Sequence, residues 1–130
     1  MNISKLKQNK MIYTIGETVY DIIFKNMQPI GAKAGGAMLN TAISLGRLQT
    51  PVCFISEIGN DPIGNYIMQF LIDNNIQNQH IEQFNGNTPI ALAILDENNN
   101  ATYTFHRHYP NERLNMPMPE LTANDYLLFG

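Results

Sequence analysis

The sequence predicts an α/β fold built on a parallel sheet, with a small β element set apart from it. Two observations carry this. Over residues 11–73 apolar runs of strand length alternate with amphipathic helical patterns, and a helical connection between strands of like direction makes a parallel pair. Beyond residue 87 the period changes: residues 88–95 and 101–107 are strand-like runs joined by Asp96-Glu-Asn-Asn-Asn100, which reads as a hairpin with a polar loop.

Taken in order, residues 1–10 are basic and polar without the apolar stretch of a secretory signal, and read as an N-terminal extension. Residues 11–15 form a first strand that stops at Gly16. Residues 19–24 are a second extended stretch, interrupted by Asp21. After the Gly35-Gly36 turn a helix is expected over residues 39–48, with Leu39, Ala42, Ile43, Leu45 and Leu48 on one broad face, ended by Pro51. Residues 52–58 read as a largely buried strand. Asp61-Pro62 starts the next helix, because Asp accepts the free N–H groups of a first turn and Pro is tolerated at its first position. That helix runs to about Asp73 and buries Ile63, Ile67, Phe70 and Leu71. In the hairpin's second arm Tyr103, Phe105 and Arg107 alternate with Thr102, Thr104 and His106, so one face is aromatic with a terminal guanidinium. Residues 114–123, with Pro117 and Pro119, are an irregular connector, and residues 125–130 begin another core strand.

Composition narrows the function classes. A chain of 130 residues can bury roughly two thirds of its unfolded surface, enough for one core. Hydrophobic residues make up 44% and charged residues 15%, and no apolar run approaches the ~20 residues that span a bilayer, so no membrane partner is expected. A formal net charge of −3 without clustered Lys and Arg gives no footprint for nucleic acid. The single cysteine, Cys53, lies in the apolar run 52–55 and cannot form an internal disulfide. A buried thiol in a reducing, cytoplasmic setting is the expectation.

Candidate ligand chemistry concentrates in two places. Gly35 and Gly36 lack a Cβ directly before a helix, so a ligand can approach bare N–H groups that the helix start leaves unpaired. Asn40, in the first turn, adds a donor and an acceptor, a combination suited to hydroxyl groups rather than to phosphate. The alternative is a plain turn with Asn40 capping the helix. Asp21 is an acid amid Val, Tyr, Ile and Phe; it either serves a ligand or caps a turn or pairs with Lys25. His106 and His108 share an i, i+2 spacing with no third ligand nearby in sequence, which reads as ordinary surface, so no metal site is expected. Asp61 is best explained as the helix cap.

Three segments occur together and in order: Gly16-Glu17 followed by Asp21, Gly35-Gly36-Ala-Met-Leu-Asn40-Thr-Ala42, and Gly59-Asn-Asp61-Pro-Ile-Gly64. With them, residues 11–130 resemble the N-terminal portion of a pfkB/ribokinase-like carbohydrate kinase. The Gly-Glu opening and Ala37, where ribokinases usually carry Lys, resemble the fructokinase branch. The resemblance implies a ribokinase-like parallel-sheet core, here its N-terminal half, and a small β-sheet lid formed by residues of about 17–34 and 88–108. It implies a sugar as substrate, bound by Asp21, Gly35, Gly36 and Asn40, with Arg107 reaching in from the lid, and a possible homodimer through that lid. It also implies ATP and Mg2+ as cofactors of the complete enzyme. The family's Asn-x-x-Glu and Asp-Thr-x-Gly-Ala-Gly-Asp segments, which carry the magnesium element and the catalytic base, do not occur in residues 1–130, so no catalytic residue is expected in this chain. Two readings follow: the sugar-binding part of an ATP-dependent sugar kinase, inactive alone, or a noncatalytic truncated sugar-binding or interaction protein.

Overall fold

A computed structural model of the protein describes residues 10–130, so the extension expected over residues 1–10 lies, apart from Lys10, outside the described residues. In chain order the elements are β1 (Ile12–Ile15), β2 (Val19–Lys25), β3 (Gln28–Gly35), α1 (Ala37–Arg47), β4 (Val52–Gly59), α2 (Pro62–Asp73), β5 (Gln77–Phe84), β6 (Ile90–Leu95), β7 (Ala101–His106) and β8 (Tyr126–Phe129). The strands sort into two sheets. The larger, ordered β5-β4-β1-β8, is parallel throughout; the smaller, ordered β3-β2-β6-β7, joins two antiparallel hairpins through a parallel β2–β6 pair. This is the α/β architecture expected, a parallel core with a second sheet.

The core follows from the side-chain parity of β4. Val52, Phe54 and Ile58 point to the face covered by both helices, where they meet Leu39, Ala42 and Ile43 of α1 and Ile67 and Leu71 of α2. Burying a side chain of the size of Phe54 contributes about 1.5–3 kcal/mol, so this layer dominates the stability of the sheet. The opposite face carries Cys53, Ile55 and Glu57. Here the connector after β7 makes the contacts: the Leu114 N–H donates to Glu57, the Asn115 N–H to Glu82, and the Pro117 carbonyl lies 3.3 Å from His80 Nδ1. Burial pushes the Cys53 thiol up to about 11. Among the described residues no helix is long and apolar enough to cross a membrane.

Several details differ from expectation. Strands β3 and β5 were not anticipated. β3 carries Pro29, Gly31 and Gly35, which argue against an interior strand, and it is found at a sheet edge, where a missing N–H is tolerated. β5, Gln-Asn-Gln-His-Ile-Glu-Gln-Phe, is nearly all polar because it too is an edge, burying only Ile81 and Phe84. Leu48 is 76% exposed: α1 ends at Arg47, so Leu48 is its C-cap and falls off the apolar face. Ile63 and Phe70 are packed against the core but only partly buried. The hairpin of β6 and β7 forms as expected, yet only β7 is an edge, since β6 is paired on both sides.

Asp61 caps α2 and does more. Its Oδ1 accepts from the Gly64 N–H at 2.7 Å and from the Thr88 hydroxyl at 2.6 Å, while Oδ2 accepts from the Thr88 N–H at 2.8 Å. One carboxylate therefore fixes both the start of a core helix and the entry to β6. Partial burial raises the Asp61 pKa, but the hydrogen bonds from Thr88 and Gly64 outweigh it and the net position is below the usual carboxylate range. A lowered folded-state pKa gives stability that is present above the unfolded pKa and lost as pH falls through the folded one. Asp61→Ala is expected to destabilise the chain by about 1–2 kcal/mol near pH 7. In thermal melts the gap to wild type is expected to shrink as the pH is lowered below about 4.

Candidate functional site

A cleft of about 380 Å³ opens where the two sheets meet, at the C-terminal ends of β1 and β8 and the N-terminus of α1. The crevice beyond the carboxyl ends of parallel strands is where open α/β sheets bind ligands. Strand register explains what faces it. Across the small sheet Lys33, Asp21, Ala91 and Phe105 stand in one row, and Ala34, Tyr20, Ile90 and His106 stand in the next, which points the other way. Asp21 and Phe105 thus share the cleft face, with Val19, Tyr103 and Arg107, while Gly36, Ala37 and Asn40 come from the helix start and Glu17 from the turn after β1. His106 and His108 fall on the opposite side, near Asp61. Among the described residues no group of three His, Cys, Asp or Glu is placed to hold a metal ion.

Of the five residues singled out from sequence, Asp21, Gly36, Asn40 and Arg107 line this one cleft, and Gly35 stands behind it. The two glycines are required for a reason other than open approach by a ligand. A Cβ on Gly35 would lie 2.3 Å from Asp21 Oδ2, so the space its missing side chain leaves is filled by that carboxylate. A Cβ on Gly36 would lie 2.2 Å from the Glu17 carbonyl oxygen, and its φ of +125° is a region that L side chains rarely adopt. Gly36 is the N-cap of α1 and makes no side-chain cap bond, so the first-turn N–H groups are left toward the cleft. Asn40 sits inside the first turn, its own N–H bonded to the Gly36 carbonyl, and its exposed side chain is not a cap.

Asp21 does not pair with Lys25, whose ammonium instead reaches the Asp96 carbonyl and Asn99 in the hairpin loop. Desolvation raises the Asp21 pKa, and Lys33 across the strand pair only partly offsets it. A half-buried carboxylate aimed into a cleft, its acceptor sites uncommitted among the described residues, suits a ligand that brings hydroxyl donors.

The β7 end of the same face is aromatic and cationic. Tyr103 and Phe105 stack with ring centroids 6.0 Å apart, and the Arg107 guanidinium lies 4.0 Å from the centre of the Phe105 ring. Arg107 Nε is 2.9 Å from Glu17 Oε1, the same oxygen that accepts from the Tyr109 hydroxyl at 2.6 Å. Glu17 therefore holds the segment after β7. Burial, then the bond to Glu17, pushes the Tyr109 phenol far up. Glu57, buried at the end of β4, binds the Arg113 guanidinium, which also lies 3.5 Å over the Tyr109 ring. Sequence reasoning missed Glu57, Tyr109 and Arg113. For Glu57 the signal was an acid in the largely apolar run 52–58, the same signal that exposed Asp21.

The raised Asp21 pKa carries a cost with a definite sign. The proton is held more tightly when folded, so stability falls as pH rises from the unfolded pKa through the folded one and stays lower above it. Asp21→Asn is expected to raise the melting temperature at pH 7 relative to wild type, with the difference vanishing below about pH 4, where both states of the wild-type residue are protonated.

The comparisons agree with this geometry. The family model for pfkB family carbohydrate kinases matches residues 9–130. The fructokinase of Rhizobium leguminosarum is 34% identical over 101 residues, covering 74% of this chain and 30% of that protein. A sugar kinase of Pyrococcus horikoshii, solved also in complex with ATP, superposes with a TM-score of 0.68 at 26% identity over 75% of this chain and 34% of its own. The apo fructokinase of Vibrio cholerae gives a TM-score of 0.65 at 29% identity, over 75% and 34%. The chain thus spans about a third of the length of the relatives it matches. With the first two motifs meeting at one cleft and the third capping α2 on a ribokinase-like core, the chain belongs to the pfkB family of carbohydrate kinases.

Proposed function

We propose that the cleft binds a sugar, and that the chain is the sugar-binding N-terminal part of an ATP-dependent, fructokinase-like kinase. The observation that carries this reading is the convergence of Asp21, Gly36, Asn40 and Arg107 on one cleft of about 380 Å³. Asp21 accepts from one or two sugar hydroxyls, the N–H groups at the start of α1 donate to sugar oxygens, and Asn40 does both. Stacked Tyr103 and Phe105 offer an apolar surface to the C–H face of the ring. The small sheet serves as the lid over this pocket, with residues of about 17–34 and 88–108. Fructose is the preferred candidate because the relatives at 34%, 29% and 26% identity include fructokinases.

Phosphoryl transfer needs a nucleotide, a metal and a base arranged around the attacking hydroxyl. ATP and Mg2+ enter this reading from the family, and no residue of this chain is assigned to either. The Arg107 guanidinium in the cleft is engaged by Glu17. The contribution of this chain is accordingly to bind and orient the sugar, in a cytoplasmic setting consistent with the buried free Cys53. The lid also provides a surface for a second copy. All of β7 is exposed and forms a sheet edge, with Tyr103 and Phe105 presented on it. An open edge of that kind is covered by pairing with another strand.

Titration calorimetry of the 130-residue chain with D-fructose tests the sugar reading. Asp21→Ala is expected to weaken binding by about 1–3 kcal/mol, the scale of a charge-assisted hydrogen bond, without sugar-dependent ADP release by either form. Unchanged affinity removes Asp21 from the site. Light scattering at increasing protein concentration is expected to show a dimer that Thr104→Pro, placed on the β7 edge, converts to monomer; a wild-type monomer at all concentrations eliminates the lid interface.

A further inference from the structure

We propose that Glu17 is a positioning residue that makes the cleft select neutral sugars over sugar acids, by neutralising the only guanidinium among the described residues that faces it. This rests on the sugar-binding reading above and adds to it a residue that chooses between substrate classes.

Charge around the cleft is the starting point. Its lining contains three charged side chains, the carboxylates of Glu17 and Asp21 and the guanidinium of Arg107. A sugar acid needs a free cationic fork for its carboxylate, and Arg is the side chain built to provide one. Arg107 is not free. Its Nε edge faces Glu17 Oε1 at 2.9 Å, and its plane rests on the Phe105 ring. The side-on fork that uses Nε is thereby occupied, and a ligand carboxylate would also meet Glu17 and Asp21 as like charges. Hydroxyl groups meet no such penalty, and the exposed end of the guanidinium can still donate to them.

Glu17 is held where this requires. The Tyr109 hydroxyl donates to the same Oε1, and Tyr109 itself makes an edge contact with Phe84 and lies under the Arg113 guanidinium, which Glu57 anchors. The Glu17–Arg107 pair is more than a third exposed on both sides, so it adds little to folding stability. Its effect falls on the charge that a ligand meets, which is why a binding preference, and not a melting temperature, reads it out.

The test uses the 130-residue chain with D-fructose and D-gluconate as probes, in calorimetric titrations. Wild type is expected to prefer fructose. Glu17→Gln, nearly isosteric, is expected to shift the preference toward gluconate by about tenfold, the change one charge-assisted contact makes, and adding Arg107→Ala should cancel the gain. Glu17→Asp keeps the charge and Tyr109→Phe loosens the same carboxylate without removing it; both should retain the wild-type preference. A Glu17→Gln chain that melts normally and keeps the wild-type ratio overturns the proposal and leaves the sugar site standing. Should wild type and Glu17→Gln bind neither probe, the sugar reading itself falls, and the proposal with it. A second measurement needs no variant: the Arg107 Nε–H resonance of wild type should not move with gluconate, and a gluconate-dependent shift equal to that with fructose overturns the assignment.

Discussion

The site depends on two missing methyl groups. Where β3 runs into α1 the chain must pass within contact distance of two acidic segments, and it does so at Gly35 and Gly36. The Asp21 carboxylate occupies the position of one absent Cβ and the Glu17 carbonyl that of the other. Any side chain at Gly36 would also have to adopt a backbone conformation that L residues avoid. The helix start, the Asp21 strand and the turn after β1 are therefore brought to one point by an exclusion of volume, and the polar groups of the cleft are consequences of that approach. A raised Asp21 pKa follows from the same crowding, because the carboxylate is desolvated by the backbone it packs against and receives only partial compensation from Lys33. Stability is lost at this residue in exchange for an acceptor that faces the cleft uncommitted.

Two other carboxylates at the same end of the sheet behave differently, and the contrast shows how environment divides their roles. Glu57 is 5% exposed and fully engaged by Arg113 and the Leu114 N–H. Removing Arg113 would leave the buried Glu57 carboxylate without its counter-charge, so this contact is structural and fixes the connector on the second face of the parallel sheet. Glu17 is exposed, and its partners Arg107 and Tyr109 lie at the rim of the cleft. Its bonds add little to folding stability, so their effect falls on the charge that a ligand meets at the rim. Asp21, Glu17 and Glu57 form a gradient from uncommitted, through exchangeable, to locked.

Much of this was legible in the sequence, and for identifiable reasons. The parallel core was readable because helices and apolar strands alternate over residues 11–73. Asp21 stood out because an acid in an apolar strand needs a cause, and its convergence with Asn40 and Arg107 followed once the strands were placed. β3 and β5 were not legible because edge strands need only one buried face and tolerate Pro, Gly and polar residues that an interior strand would reject. Leu48 misled because the apolar period runs one residue past the end of the helix. The glycine pair was found, yet its purpose was misread: periodicity and spacing cannot show that the vacated volume is filled by Asp21 and Glu17 from a segment about fifteen residues away. The Glu17, Tyr109, Glu57 and Arg113 network was invisible for the same reason, since it joins four segments that meet only after both sheets have formed.

The way the chain crosses between the sheets decides where the molecule is stiff. It crosses four times. At the first, from β1 to β2, Thr18 is fully buried and its hydroxyl lies 2.8 Å from that of Ser56, which in turn donates to the Gly16 carbonyl. At the second, from β3 to α1, Gly36 packs against the Glu17 backbone and Gly35 against the Asp21 carboxylate. The third, from β5 to β6, is held by Asp61 on Thr88, which is 4% exposed. These three lie along the line where the sheets meet, and buried hydrogen bonds and close contacts make that line rigid. The fourth crossing, after β7, is held at Arg107 by the half-exposed bond to Glu17, and β7 itself has no buried residue. Resistance to displacement thus falls from the hinge line toward the β7 edge, which is the side that carries Tyr103, Phe105 and Arg107. The wall of the cleft that a ligand can move is the aromatic one, and the wall that presents Asp21 is the one it cannot.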